Sequence, residues 1–246
     1  MSRPLGLPVL SPPAQPPSAS TLHGRTVRLE RLAPSHAEQL YPLVGDNQDP
    51  TQVAVWDYIP DGPFANYAAF CDFIESHSKS TDPYFFAIIA TKSSADRAAG
   101  NSEDEKVLGY IALMSIVPEQ LRLEIGHVVF SPQMQRSTVA TEVVYLLLKF
   151  AFETGYRRVE WKCNSLNEGS QKAARRFGFT YEGTFRQHMI VKGRNRDTAW
   201  FSMVKEEWGS GVRGGYEGWL DEGNFDEIGR QRGRLEEFIK GGRREV

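Results

Sequence analysis

The segment in which residue types and spacing point most clearly to chemistry runs from Glu124 to Glu142. A strand ending at Phe130 leads into a short polar loop, and a helix begins near Ser137. The first turn of a helix has N–H groups without an intrahelical acceptor and the positive end of the helix dipole, so such a loop can bind an anion. Arg136 would add a full positive charge. Taken alone, the pattern also fits an ordinary helix cap.

A second distinctive feature is a run of aromatic residues between positions 55 and 64, in a segment whose Pro and Gly content predicts a loop. Trp56, Tyr58 and Phe64 offer large apolar surfaces, and Trp and Tyr add a polar tip. Two interpretations stay open. The rings are core residues beneath a loop, or they line a pocket for a substrate.

Hydrophobic periodicity predicts the elements that would position these residues. The predicted order is β-α-α-β-β-β-α-β-α-β-β, an α/β (α+β) fold with a mixed central sheet of about seven strands and helices on both faces. The predicted strands span residues 26–32, 84–91, 107–117, 122–130, 158–164, 179–192 and 197–204, and the predicted helices span residues 34–44, 64–76, 139–154 and 168–177.

The sequence divides into a domain with two flanking segments. Residues 1–22 are rich in Pro and Ser, which predicts a disordered tail; the alternative is a strap laid along the domain. Residues 23–208 form the predicted domain, in which residues 92–106 are a solvated hairpin loop. Residues 209–246 combine a Gly-rich linker with a weak amphipathic-helix pattern. Its basic end is interpreted as a solvated helix rather than a nucleic-acid or partner motif.

Composition favours a globular protein of a reducing compartment. Apolar residues make up 40% of the 246 residues and charged residues 24%. The net charge of −2 argues against broad electrostatic binding to nucleic acid or to an anionic membrane. The two cysteines are interpreted as reduced buried thiols, and neither a signal peptide nor a membrane-length apolar run is recognised. We therefore expect a cytoplasmic protein.

Three stretches, residues 124–142, 167–179 and 183–208, resemble the GNAT N-acyltransferases. The pyrophosphate loop of that superfamily reads Q/R-x-x-G-x-G/A; this chain fits it at Gln135 and Ala140 but has Thr138 where Gly is usual. The resemblance is closest to the branch that includes bacterial N-terminal (alanine/serine) acetyltransferases of ribosomal proteins. It also rests on the segments Asn167-Glu168-Gly169-Ser170, Gly178-Phe179, Glu182-Gly183-Thr184-Phe185-Arg186 and Lys192-Gly193-Arg194-Asn195-Arg196-Asp197.

The resemblance implies acetyl-CoA as co-substrate and no metal. The strand backbone near Val128 and Phe130 would pair with the pantetheine arm as an added strand does. Asn167 would bind the pantetheine amides, cap the helix, or do both. Lys172 and Arg175 would reach the outer phosphates, or belong to a solvated helix face. The pyrophosphate would be held by the loop and first helical turn, residues Gln135, Arg136, Ser137, Thr138, Val139, Ala140 and Thr141.

The resemblance further implies direct attack of an amine on the thioester, which requires a proton acceptor for the amine. Glu124 is predicted to be this base, directly or through a water, because burial among apolar residues raises the pKa of a carboxylate. A surface carboxylate is the alternative. His127 would lie opposite Glu124 and is interpreted as structural rather than catalytic. Side-chain alternation predicts one shared face for Glu124, Gly126, Val128 and Phe130.

The departing thiolate also needs a donor. Many relatives use a Tyr at the position where this chain has Ala174, so Ser170 is the predicted substitute near the CoA sulfur. In the superfamily, the segment holding Trp56, Tyr58 and Phe64 forms the acceptor side, which implies an acceptor with an apolar part.

These observations predict an N-acetyltransferase that acts on a protein N-terminus or a small-molecule amine. A catalytically silent acyl-CoA-binding or sensing module is the alternative, supported by Thr138 and the absent Tyr. Nucleic-acid binding through the basic C-terminus is the weaker third hypothesis. Neither a nucleic-acid partner nor a membrane partner is expected, and a homodimer is expected because proteins of this branch often dimerise.

Overall fold

The computed structural model describes residue 3, residues 5–91 and residues 105–242. The predicted loop at 92–106 therefore lies almost wholly outside the described residues, as do the last basic residues after 242. The strands are β1 Thr21–His23, β2 Val27–Arg31, β3 Tyr84–Ala90, β4 Lys106–Val117, β5 Arg122–Phe130, β6 Arg158–Asn164, β7 Thr180–Val191 and β8 Arg194–Val204. The helices longer than one turn are α1 Ala37–Leu40, α2 Pro50–Ala54, α3 Tyr67–Lys79, α4 Thr138–Glu153, α5 Glu168–Arg176, α6 Arg213–Leu220 and α7 Leu235–Gly242.

All eight strands form one mixed sheet in the order β1-β2-β3-β4-β5-β6-β8-β7. The mixed α/β architecture predicted from the sequence is confirmed, with β1 as one strand more than the seven predicted. Every neighbouring pair is antiparallel except β5 and β6, which are parallel. Their ladder covers only Arg122–Glu124 on β5, so the rest of β5 runs without a partner on its β6 side. The two strands therefore diverge in the middle of the sheet.

Helix α4 covers one face of the sheet, which we call the α4 face. The side chain of Ser137 caps this helix by accepting a hydrogen bond from the N–H of Ala140. Its apolar residues pack on the sheet together with α5, α6 and α7 in one buried cluster. Helices α1 to α3 cover part of the opposite face, called the α3 face, over a second cluster that includes Trp56 and Phe70.

A bulge in β5 interrupts the alternation of its side chains. Leu123 and Ile125 pack on the α4 face, which places Glu124 on the α3 face. His127 then adopts a left-handed backbone conformation (φ 45°), and the ladder with β4 shifts at the same point. Beyond a bulge the two faces of a strand exchange residues.

The bulge corrects two expectations about β5. Val128 and Phe130 contact the α4-face cluster, so they do not share a face with Glu124. His127 was expected opposite Glu124, but its ring lies 5.1 Å from that of Phe85, which belongs to the α3-face cluster. Alternating periodicity cannot reveal an inserted residue, which is why the prediction failed here.

Residues 14–23 form a strap along the domain, so the prediction of a disordered tail through residue 22 does not hold there. Ala14 is buried and its N–H donates to the carbonyl of Pro118 at 3.1 Å. The hydroxyls of Tyr156 and Tyr84 donate to the carbonyls of Gln15 and Ala19. Backbone groups make these contacts, and a Pro/Ser-rich composition carries no signal for them.

The C-terminal segment is also part of the domain, not a linker followed by a separate helix. Tyr216 is fully buried and its hydroxyl donates to the carbonyl of Phe177 at 3.0 Å. Gly215 lies against the backbone of Ile239, where a Cβ would come within 2.8 Å. The glycines that suggested a linker thus allow α6 and α7 to pack closely.

Two smaller observations complete the fold. Helix α3 begins at Tyr67 instead of Phe64, because Asn66 caps it by accepting from the N–H of Ala69. Within the described residues, none of the helices combines the length and apolar character needed to cross a membrane.

Candidate functional site

The gap between β5 and β6 opens into a cleft of about 1560 Å³ that reaches both faces of the sheet. On the α4 face it is bordered by the first turn of α4, by α5 and by the C-terminal segment. On the α3 face it is bordered by β6, β8 and the loop after α2. A cleft larger than the 300–1,000 Å³ typical of small-molecule pockets suits a long ligand that passes through the sheet.

The loop before α4 has the geometry of an anion site. Arg136 adopts a left-handed conformation (φ 63°) and is exposed, and Ser137 caps the helix. The N–H groups of Thr138 and Val139 lie in the first turn, where a helix provides no acceptor of its own. They and the helix dipole are available to an anion.

Most of the residues predicted for cofactor binding border this cleft. Val139 packs instead against the α4-face core, and the buried hydroxyl of Thr141 accepts a hydrogen bond from Arg176 at 2.9 Å. For these two residues the backbone alone can serve a ligand. The residues of the predicted set that line the cleft are Val128, Phe130, Gln135, Arg136, Ser137, Thr138, Ala140 and Asn167.

Helix α5 begins at the cleft wall. The side chain of Asn167 caps it by accepting from the N–H of Ser170 at 2.9 Å. The hydroxyl oxygen of Ser170 accepts from the indole N–H of Trp161 at 2.9 Å. That bond uses a lone pair and not the hydroxyl proton, which Ser170 can donate; a side-chain hydrogen bond also joins Ser170 to the Cys163 thiol. Ala174, at the place of the missing Tyr, is fully buried.

The positively charged side chains of α5 that line the cleft are not the two that the sequence predicted. Lys172 lines the cleft, but Arg175 stacks over Tyr181 and Phe201, away from it. Arg176, which the sequence analysis did not single out, lines the cleft in its place. The sequence Arg175-Arg176 alone does not show which of the two side chains faces the cleft.

Glu124 stands on the α3 face where β5 and β6 separate. It is 6% exposed, and its carboxylate lies 2.9 Å from the ammonium of Lys162 and accepts from the hydroxyl of Ser115 at 3.3 Å. Burial raises the pKa of Glu124, while the Lys162 charge opposes that effect. The predicted buried carboxylate is therefore present, and it belongs to an ion pair.

The ion pair continues along β6. The Lys162 ammonium lies 2.8 Å from Glu160, and Glu160 lies 2.8 Å from Arg158, which also pairs with Glu182. Burial raises the pKa of Glu160, but the hydrogen bonds and charges of Lys162 and Arg158 outweigh burial and lower the pKa overall. Lys162 is thus shared between two buried carboxylates.

His127 also lines the cleft, close to Asp61. Its Nδ1 is 3.5 Å from Oδ2 of Asp61, and neither of these two atoms has a hydrogen-bond partner in the part of the chain that the structure describes. Burial lowers the pKa of His127, which favours the neutral ring near pH 7.

Of the three predicted aromatic substrate contacts, only Tyr58 reaches the cleft. It is 37% exposed, and its hydroxyl donates to the carbonyl of Leu166. Trp56 is 1% exposed and donates its indole N–H to the carbonyl of Val44 at 2.7 Å. Phe64 packs edge-on against Trp56. These two are core residues, the first of the two interpretations that the sequence left open.

The structure adds cleft residues that sequence reasoning missed. On the α3 face, β8 supplies Arg196 and Trp200. Trp200 lies within the predicted strand 197–204, whereas Arg196 precedes it, because β8 begins at Arg194. Period-2 alternation along β8 could have placed both on one face, but not beside a cleft. On the α4 face, residues 219–236 form an outer wall that carries Arg230; no sequence signal links that segment to the loop before α4.

A family model described as an acetyltransferase (GNAT) domain matches residues 26–180. A GCN5-related N-acetyltransferase from Brucella melitensis has a similar structure (TM-score 0.82, 40% identity), covering 93% of this chain and 97% of that chain. A probable acetyltransferase (GNAT family) from Chromobacterium violaceum ATCC 12472 gives a TM-score of 0.72 at 37% identity, covering 85% of this chain and 98% of that one.

A relative in Bacillus subtilis strain 168 carries the name "Putative ribosomal N-acetyltransferase YdaF". It is 28% identical over 189 residues, which cover 74% of this chain and 92% of the relative. These similarities confirm the resemblance read from the sequence, both to the superfamily and to its ribosomal-protein branch.

Proposed function

The chain belongs to the GNAT acetyltransferase family, and from that premise we propose that it moves an acetyl group from acetyl-CoA to a primary amine. One observation carries the proposal. A single cleft runs from the anion-binding turn of α4, between the diverging strands β5 and β6, to the buried carboxylate of Glu124.

The cofactor would lie along the β6-facing edge of β5. Beyond Glu124 that edge has no strand partner, so its N–H and C=O groups can pair with the pantetheine arm. The turn from Arg136 to Val139 would hold the pyrophosphate. Asn167, which caps α5 through one oxygen, still has its amide donors for the pantetheine.

Acetyl transfer needs a base beside the attacking amine and a hydrogen-bond donor beside the thioester sulfur. Glu124 would accept a proton from the acceptor's ammonium, directly or through a water, and the free amine would attack the thioester carbonyl. The resulting oxyanion intermediate would collapse, breaking the C–S bond. The proton lost from the nitrogen of the intermediate would pass to the departing CoA thiolate, to which Ser170 would donate a hydrogen bond. The products are an N-acetyl amine and CoA.

A thiol-release assay with a panel of amines tests the proposal. Glu124→Gln should lower kcat/KM by about 100- to 10,000-fold, the range for losing a general base, without changing the Kd for acetyl-CoA. Glu119→Gln, at an exposed position near β5, is the matched control and should behave as wild type. Full activity of Glu124→Gln would remove Glu124 from the mechanism.

A second candidate function is an acyl-CoA sensor without turnover. Thr138 in place of the family's Gly and Ala174 in place of its Tyr favour it. Stabilisation by acetyl-CoA without thiol release from any amine would support the sensor and refute the transferase.

The cellular setting is part of the same proposal. Cys71 and Cys163 are both free, as expected in a reducing compartment, and we place the protein in the cytoplasm. We also propose a homodimer, with residues 23–208 as the catalytic domain. Fractionation and sedimentation measurements test these two statements.

A further inference from the structure

The acceptor end of the cleft contains a guanidinium group without an acidic partner. Arg196 lies on β8 on the same face as Trp200, and it lines the cleft. It is partly buried. Within the described residues it makes no ion pair, and its one hydrogen bond runs from Nε to the hydroxyl of Thr198 at 3.2 Å. Its two terminal nitrogens, which carry four N–H donors, remain reachable by solvent.

The neighbouring cations, unlike Arg196, are paired with carboxylates. Lys162 pairs with Glu124 and Glu160, and Arg158 pairs with Glu160 and Glu182. A partly desolvated charge is costly unless it is paired. Burial lowers the pKa of Arg196, as desolvation of a cation does. A ligand anion would supply the missing partner.

The position of Arg196 relative to Glu124 defines the ligand. The Lys162 ammonium lies 2.9 Å from the Glu124 carboxylate and 4.1 Å from the centroid of the Trp200 ring. Arg196 lies four residues before Trp200 on the same strand, and Arg196 and Glu124 both line this part of the cleft. An acceptor whose ammonium approaches Glu124 can thus place a second group near Arg196. The planar guanidinium is suited to bidentate contact with a carboxylate or a phosphate.

We infer that the acceptor is an amine that also carries an anionic oxygen group, a carboxylate or a phosphate ester, which Arg196 binds. This inference rests on the proposed acetyl transfer. It predicts that free amino acids or phosphorylated amines are better acceptors than amines without an anionic group. The ring of Trp200, 4.1 Å from the Lys162 ammonium, would form the wall between the two charged ends.

Two matched substrate pairs test the inference by thiol release: phenylalanine against phenylalaninamide, and phosphoethanolamine against ethanolamine. Wild type should favour the anionic member of one pair, and that pair identifies the anion. Arg196→Gln should reduce the anionic-to-neutral ratio of kcat/KM by about 10- to 100-fold, mainly through KM, as expected for one charge-assisted contact. Comparing variant with wild type cancels the different basicity of the amines.

Arg194→Gln is the matched control, since Arg194 is exposed on the same strand and does not line the cleft. It should keep the wild-type ratio, and Arg196→Lys should recover part of it. Two results would overturn the inference while leaving acetyl transfer standing. One is a wild-type kcat/KM for the neutral amine that equals or exceeds that for the anionic amine in both pairs. The other is an Arg196→Gln variant with the wild-type anionic-to-neutral ratio. No thiol release with any of the four amines would instead refute the proposed function on this panel.

Discussion

At the residue scale, the proposed role of Glu124 depends on its burial and on its ion pair with Lys162. Its identity as a buried carboxylate was predictable, because it is embedded in an apolar strand. Its partner was not. Lys162 lies 38 positions away, and only the parallel register of β5 with β6 brings the two together. Burial and the Lys162 charge act on the pKa of Glu124 in opposite directions, and burial prevails.

The pH dependence of turnover follows from that balance. A general base works as the carboxylate, so the rate should rise as pH passes through the pKa of Glu124. Removing the positive charge in Lys162→Met should raise this pKa further and move the acid limb of kcat/KM about one unit or more to higher pH. Lys162→Arg, which keeps the charge, should show the wild-type limb.

Since Lys162→Met leaves a buried carboxylate without its partner, its melting temperature should be recorded with its pH profile. An acid limb at the wild-type pH in a folded Lys162→Met protein would show that Glu124 is not the titrating base.

At the element scale, the predicted strands and helices were largely correct, and the errors have specific causes. The bulge at His127 moved Val128 and Phe130 to the α4 face, and periodicity cannot detect such an insertion. The strap at residues 14–23 and the wall at residues 219–236 depend on tertiary contacts that span the chain. Local propensity therefore missed both.

The C-terminal wall gives an element-scale prediction. Arg230 lines the cleft together with the turn before α4 that we propose binds the pyrophosphate, so it should contribute to phosphate binding. Arg230→Ala should weaken acetyl-CoA binding by about 10- to 100-fold, as expected for one charge-assisted contact. Arg232→Ala, exposed and off the cleft, should leave the Kd unchanged. Fluorescence or calorimetric titration can measure the affinity of each variant for acetyl-CoA. Equal affinities for the two variants would show that the wall does not bind the phosphates and is only structural.

At the scale of the whole molecule, the division of the sheet between β5 and β6 creates the site. The sequence predicted a mixed sheet with its helices, but a parallel ladder of only three residue pairs has no local signature. The loop before α4 was found because its chemistry is local, whereas the acceptor end was only partly found because it is assembled from β5, β6 and β8. Of the three aromatic residues predicted to contact the acceptor, only Tyr58 lines the cleft, and local sequence could not distinguish it from Trp56 and Phe64.

Ligand binding should register in the stability of the whole fold. A ligand present at 100 times its Kd, and bound only by the folded state, adds about 2.7 kcal/mol to the free energy of unfolding. For a chain of this size acetyl-CoA should therefore raise the melting temperature by roughly 5–10 °C. Differential scanning fluorimetry measures the shift, and a melting temperature that does not respond would argue against a cofactor site.

Calorimetric titration of acetyl-CoA into wild type and Thr138→Asp tests whether the first turn of α4 holds the diphosphate. Aspartate in the first turn of α4 suits the helix dipole, so the fold should keep its melting temperature. Its charge would repel a diphosphate at that turn, so the account predicts binding by wild type and a loss of at least about 100-fold in Thr138→Asp. Ser210→Asp, exposed and away from the cleft, should bind as wild type does. Undiminished binding by Thr138→Asp, or no binding by wild type, would contradict the account.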